Sequence, residues 1–239
     1  MSVPRKIKAI FFDYGGTLCD YYPSNEEVWA RIANRLGVSV SPDDPRIQKG
    51  IRNQVLEYER LNIPFMELSK QELHTLNCLV LAAVGLNGEN AQGIIEAEFR
   101  AREQGRLYEL YPETPDTLQK IKQKGFKIGL ISNTDGHDAL KRRRSSMRDQ
   151  GILQFFDTIT LSSEVGVCKP HKEIFEIALR EIRIRKPEEA MLVGDSPIED
   201  LKGAQNAGLL PVFLDRFDWF SPENVIKIKV LSDILQYLR

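Results

Sequence analysis

Four polar segments, each directly after an apolar run, hold most of the side chains in this sequence that can do chemistry. Asp13-Tyr14-Gly15-Gly16-Thr17-Leu18 follows the first run and Ser132-Asn133-Thr134-Asp135-Gly136 the second. Ser162-Ser163-Glu164 and then Lys169-Pro170 follow the third, and Gly194-Asp195-Ser196-Pro197-Ile198-Glu199-Asp200 the fourth. Singly, each has an ordinary explanation: an Asp after a strand caps a helix, Ser-Asn makes a turn, and a Lys before Pro sits exposed at a helix start. Together they bring carboxylates, a hydroxyl and an ammonium to one rim. A hard cation such as Mg²⁺ takes a few oxygen ligands and keeps several waters, a need that Asp13, Asp195 and a backbone carbonyl can meet. Its charge lets a carboxylate approach a phosphate dianion. Ser132, the Asn133 backbone and Lys169 can then hold phosphoryl oxygens as charge shifts during transfer.

Such a rim needs a scaffold that delivers four segments to one edge. The runs Ile7–Phe12, Lys127–Ile131, Thr158–Leu161, Ala190–Val193 and Leu210–Leu214 largely lack polar alternation, as strands buried on both faces of a parallel sheet do. Helical stretches separate the later runs: Thr114-Pro115 opens one that Gly125 ends, and Ile198 to Asn206 forms another that Gly208 closes. Alternating strand and helix predicts a doubly wound, Rossmann-like α/β sheet, with ligands beyond the carboxyl ends of its strands.

The stretch from Asp20 to Tyr111 has hardly any strand signal. Ser24-Asn25-Glu26-Glu27 and Ser69-Lys70-Gln71-Glu72 read as capping boxes. Val28, Ile32 and Leu36 follow the first at helical spacing, and Leu73, Leu76, Val80 and Val84 the second. Four helices are predicted, near 25–36, 44–62, 69–85 and 88–106. So long a helical block exceeds a simple crossover, which predicts an inserted all-helical subdomain at 20–109 and an α/β core formed by 1–19 and 110–239.

Lys and Arg number 33 against 34 Asp and Glu, a formal net charge of −1 over 239 residues, which excludes a polybasic arm or acidic tail as the dominant feature. Divided at those boundaries, the helical insertion carries −4 and the remainder +3, so the core tolerates an anionic ligand without specifying one. Five basic residues between Lys141 and Arg148 read as a solvated helix face, and no nucleic-acid motif accompanies them. Cys19, Cys78 and Cys168 stand at scattered spacings without a CxxC pair, which suits free thiols in a reducing compartment. No apolar stretch approaches the roughly 20 residues of a membrane span, and the run before Asp13 is too short for a signal peptide. A cytoplasmic protein without membrane or nucleic-acid partners is expected, either monomer or homodimer.

In this order and strand context, the segments resemble the four motifs of the haloacid dehalogenase-like hydrolase superfamily, in its phosphatase-type branch with an α-helical cap between the first and second motifs. Asp13, Gly16 and Thr17 match the first motif, Ser132 the second, Lys169 the third, and Gly194, Asp195 and Asp200 the fourth. The resemblance implies a phosphatase of a small phosphorylated metabolite: Asp13 attacks phosphorus, and water hydrolyses the aspartyl phosphate. It implies catalytic roles for Asp13, Ser132 and Lys169, and Mg²⁺ held by Asp13, the Gly15 carbonyl and Asp195. Asp200 then orients Lys169 or a metal-bound water from behind. Tyr14, Thr17 and Asn133 are the expected substrate-side residues, with Thr17 fixing the turn after the nucleophile, and the cap is expected to select substrate.

Gly15 departs from the pattern, because phosphatases of the superfamily usually carry a second Asp there. That carboxylate protonates the leaving group and then activates water, work worth about 10²–10⁴-fold. Glycine offers only its carbonyl. Four readings stay open. The chain is a phosphatase that is slow, prefers a good leaving group, or borrows an acid such as Asp20, Asp135 or Glu26; or it resembles phosphonoacetaldehyde hydrolase, with Lys49 or Lys70 forming a Schiff base. Alternatively it resembles the haloacid dehalogenases, which carry Tyr at the position of Gly15 and a different fourth motif; or it is a binding or regulatory protein with little or no turnover.

Overall fold

The computed structural model describes residues 7–105, 107–134, 138–222 and 224–238; Asp135 and Gly136 lie outside them. The chain divides into two compact units, one of Met1–Asp20 with Leu110–Arg239 and the other of Tyr21–Glu109. In chain order its elements are β1 (Ala9–Phe12), β2 (Cys19–Tyr22), α1 (Asn25–Arg35), α2 (Pro45–Leu61), α3 (Lys70–Ala83), α4 (Gln92–Gly105), β3 (Leu107–Leu110), α5 (Thr114–Gln123), β4 (Lys127–Ser132), α6 (Ala139–Asp149), β5 (Thr158–Leu161), α7 (Ser162–Val165), α8 (Lys172–Glu181), β6 (Ala190–Gly194), α9 (Gly203–Ala207), β7 (Leu210–Leu214) and β8 (Ile226–Ile228).

The first unit is built on a six-stranded sheet of order β5-β4-β1-β6-β7-β8, in which every neighbouring pair is parallel. This is the doubly wound α/β core that the apolar runs predict. All four residues of β1 are buried. Ala9 and Phe11 join a cluster with Ile174, Phe175 and Ala178 of α8 and Ala204 of α9, and strand alternation turns Ile10 and Phe12 to the other face. Each fully buried Phe contributes about 1.5–3 kcal/mol relative to exposure. Phe12 lies beside Leu130 of β4 and Val193 of β6, so Asp13 leaves the sheet between the ends of those strands.

The second unit holds α1 to α4. Ser24 and Glu27 close the capping box of α1 reciprocally, as Ser69 and Glu72 do for α3. Trp29 of α1 meets Phe99 of α4 edge-on, with ring centroids 5.5 Å apart.

Four elements differ from expectation. β2 and β3 form a two-stranded ribbon at the crossings between the units; only Cys19 of β2 is buried, so no hydrophobic period marks it. β8 has three residues, too few to show one. The helix expected from Ile198 begins as a wide π turn at Pro197–Lys202 before tightening into α9, a local widening common at functional sites. Cys19, Cys78 and Cys168 are free thiols, and no helix among the described residues is long and apolar enough to cross a membrane.

Candidate active site

Asp13 stands one residue beyond β1, its N–H donating to the Val193 carbonyl at 3.0 Å. Its carboxylate accepts a hydrogen bond from Lys169 Nζ at 2.6 Å, and the same ammonium donates to Asp200 Oδ1 at 2.6 Å. Lys169 is 2% exposed and Asp200 3%. Burial alone would lower the lysine's pKa; the charges of Asp13 and then Asp200 outweigh it and hold the ammonium charged. The main chain of Lys169 is held as well. Its N–H donates to Asn133 Oδ1 at 2.8 Å, and its carbonyl accepts from Asn133 Nδ2 at 3.0 Å.

Asp195, just past β6, completes the cluster: one oxygen each of Asp13, Asp195 and Asp200 lie within 4.8 Å of one another. Thr17 Oγ1 donates to Asp195 Oδ1 at 2.9 Å. Burial, reinforced by the charges of Asp13 and Asp200, raises the Asp195 carboxyl well above the usual range. Asp200 is raised to about 6, burial prevailing over the pull of Lys169. Three carboxylates face one ammonium, an excess of negative charge that a cation relieves.

The donor set suits a hard divalent cation: it is all oxygen, among the described residues no His or Cys joins it, and softer metals favour nitrogen and sulfur. Two glycines are shaped around it. A Cβ on Gly16, at φ +78°, would lie 2.2 Å from Asp195 Oδ2, and one on Gly194 would lie 2.2 Å from Asp200 Cγ. The carboxylates of Asp13, Asp195 and Asp200 are therefore the residues that could hold such a cation.

The remaining expected residues fall around this centre. Ser132 ends β4, buried, with its hydroxyl toward the Asn133 carbonyl at 3.3 Å. Thr134 is tied to the start of α7: its N–H donates to Ser162 Oγ at 2.9 Å, and its hydroxyl meets Ser163 Oγ at 2.8 Å. Gly15 bridges to Cys19 across a tight turn in which the Gly16 N–H donates to the Cys19 carbonyl at 2.8 Å. Tyr14 is fully buried, its ring under the Arg143 guanidinium at 3.8 Å and its hydroxyl 3.3 Å from Ser146 Oγ. The side chains of Tyr14, Thr17 and Asn133, expected on the substrate side, are thus engaged with the protein's own groups. Glu26, Lys49 and Lys70 belong to the helical unit.

Sequence reasoning misses Arg216 and Glu113. Arg216 binds the carbonyls of Gly16 and Thr17 and pairs with Glu113 at 2.8 Å. The signal is present, since Asp215-Arg216 follows the fifth apolar run as the other site segments follow theirs.

Residues 7–208 match the sequence profile of the haloacid dehalogenase-like hydrolases. The chain is 32% identical over 215 residues to a glyceraldehyde 3-phosphate phosphatase of Methanopyrus kandleri, covering 88% of this chain and 84% of that enzyme. It is 37% identical over 128 residues to a phosphoserine phosphatase of Thermus thermophilus, covering 54% of this chain and 48% of that enzyme's length. Among solved structures it is similar to the HAD-hydrolase YfnB of Bacillus subtilis bound to magnesium, with a TM-score of 0.68 at 20% identity over 98% of this chain and 99% of that one. It is also similar to the 2-haloacid dehalogenase of Pseudomonas syringae, with a TM-score of 0.56 at 23% identity over 97% of this chain and 98% of that one. These two likenesses are of fold alone.

Proposed function

The chain belongs to the haloacid dehalogenase-like hydrolases, and on that premise we propose that it is a Mg²⁺-dependent phosphatase of a small phosphorylated metabolite, working through an aspartyl phosphate on Asp13. The observation that carries this reading is the buried Lys169 bridge between Asp13 and Asp200, beside Asp195. The named phosphatase relatives support a small phosphate ester as substrate.

Asp13, held by its hydrogen bond from Lys169, attacks phosphorus: an Asp13 O–P bond forms, and the ester P–O bond breaks with its electron pair leaving on the alcohol oxygen. Water then attacks the same phosphorus, and phosphate departs as the Asp13 O–P bond breaks. Ser132 and the Lys169 ammonium hold the phosphoryl oxygens through both steps. When bound by Asp13, Asp195 and the Gly15 carbonyl, Mg²⁺ supplies charge neutralisation and Lewis acidity. Asp200 keeps Lys169 in place. Tyr14, Thr17 and Asn133 act by fixing the residues they touch. Because position 15 has no acid, the departing oxygen leaves without a proton from it, which favours phenolate-like or acyl leaving groups and slows hydrolysis of the phosphorylated Asp13. Gly15 also favours a second reading, a protein that binds Mg²⁺ and phosphate with little turnover.

A panel of phosphate esters, assayed with and without Mg²⁺ on wild type, Asp13→Asn and Gly15→Asp, tests these readings. Mg²⁺-dependent hydrolysis by wild type, lost in Asp13→Asn and broadened to alkyl esters in Gly15→Asp, is expected. Wild-type silence with hydrolysis by Gly15→Asp selects the binding protein; activity that survives Asp13→Asn sinks both.

A further inference from the structure

We infer that Arg216 is a positioning residue for the metal site, acting through the turn Gly15-Gly16-Thr17; the inference rests on the Mg²⁺ reading above. Arg216 lies two residues past β7. Its Nε donates to the Gly16 carbonyl at 3.3 Å, its Nη2 to the Thr17 carbonyl at 3.0 Å and its Nη1 to the Glu113 carboxylate at 2.8 Å. The guanidinium also lies over the Tyr111 ring, 3.5 Å from its centroid. The planar fork is used at all three nitrogens and on one face, a pattern that lysine cannot reproduce. The next carbonyl, of Leu18, accepts from the Tyr111 N–H at 3.2 Å and from Thr114 Oγ1 at 2.8 Å. Three consecutive carbonyls of the segment after the nucleophile are therefore held by groups from elsewhere in the same unit.

The composition of the turn gives this clamp its purpose. Gly15-Gly16 is as loose a dipeptide as the chain can contain, and glycine loses the most conformational freedom on being fixed. The Gly15 carbonyl, a proposed ligand, stands directly before the first clamped carbonyl, and Thr17 Oγ1 steadies Asp195 from the second. Holding the carbonyls of Gly16 and Thr17 limits how the peptides on either side rotate, and so orients both ligands before the cation arrives. Outer-shell groups that orient ligands in this way are commonly worth about 10–100-fold in metal affinity.

Calorimetric titration of Mg²⁺ alone into wild type, Arg216→Lys, Arg216→Ala and Glu113→Gln tests the inference, with a thermal melt to verify folding of each. The Mg²⁺ Kd is expected to rise about tenfold or more in Arg216→Ala, and by a smaller factor in Glu113→Gln. Arg216→Lys keeps the charge without the fork and should resemble Arg216→Ala. In turnover, the Mg²⁺ needed for half-maximal rate should rise while the ester's KM at saturating Mg²⁺ stays put. A folded Arg216→Lys that binds Mg²⁺ as tightly as wild type overturns the role, and this variant decides the matter if Arg216→Ala does not fold. If wild type itself binds no Mg²⁺, the proposed function fails and the inference with it, an outcome distinct from wild-type binding that Arg216 does not affect.

Discussion

The carboxamide of Asn133 closes on the main chain of Lys169 in both directions, Nδ2 donating to its carbonyl at 3.0 Å and Oδ1 accepting from its N–H at 2.8 Å. The residue after Ser132 thus sets the origin of the side chain that bridges Asp13 and Asp200. Asn133→Ala frees that backbone without touching a carboxylate. Displacement of a catalytic group by about 1 Å can cost 10²-fold, so kcat should drop by about that factor with a smaller change in KM. Steady-state kinetics check this, and a wild-type kcat would refute the role.

Gly16 and Gly194 are expected to tolerate no side chain. At Gly16 a Cβ meets Asp195 at 2.2 Å on a backbone with φ +78°, and at Gly194 a Cβ meets Asp200 at 2.2 Å. Gly16→Ala and Gly194→Ala should each lose Mg²⁺-dependent activity and about 1–3 kcal/mol of stability. Gly37→Ala is the control, since Gly37 has φ +91° and nothing within 4 Å of where a Cβ would stand; it should show a backbone cost of about 1–2 kcal/mol and unchanged activity. Urea unfolding paired with rate measurements distinguishes the two patterns.

The carboxylate cluster makes the stability of the metal-free protein depend on pH. Asp195 and Asp200 are both raised above the ordinary 3.8, Asp200 to about 6. Between the ordinary and the raised values the folded chain holds protons that the unfolded chain has released, so the stability these groups contribute is full below the ordinary 3.8 and is lost as pH rises from there through the folded pKa. Each group can contribute a slope of at most about 1.4 kcal/mol per pH unit. Denaturant unfolding in a chelating buffer should therefore show lower stability near pH 7 than near about pH 5. Asp195→Asn, or saturating Mg²⁺, should flatten the difference. Equal stability of the metal-free wild type at both pH values would contradict it.

Much of the centre is legible in the sequence because a parallel sheet converts one linear signal, a polar residue after an apolar run, into a position on one rim. Asp13, Ser132 and Asp195 each carry that signal. The bonds that hold the rim together do not. Arg216 Nε and the Gly16 carbonyl are 200 residues apart, and Tyr14 and Ser146 are separated by 132. No local spacing encodes such pairs. The helical unit shows the opposite case: Ser24 with Glu27 and Ser69 with Glu72 mark helix starts because each pair satisfies backbone donors three residues apart.

The central claim is that Asp13 carries the phosphoryl group. Its most direct test is acid-quench peptide mass spectrometry of the wild type mixed with p-nitrophenyl phosphate and Mg²⁺. The expected result is a phosphoryl group on the peptide containing Asp13, absent in chelator and in Asp13→Asn, and longer lived than in Gly15→Asp. Hydrolysis at an undiminished rate by Asp13→Asn, or by the wild type in chelator, would contradict it.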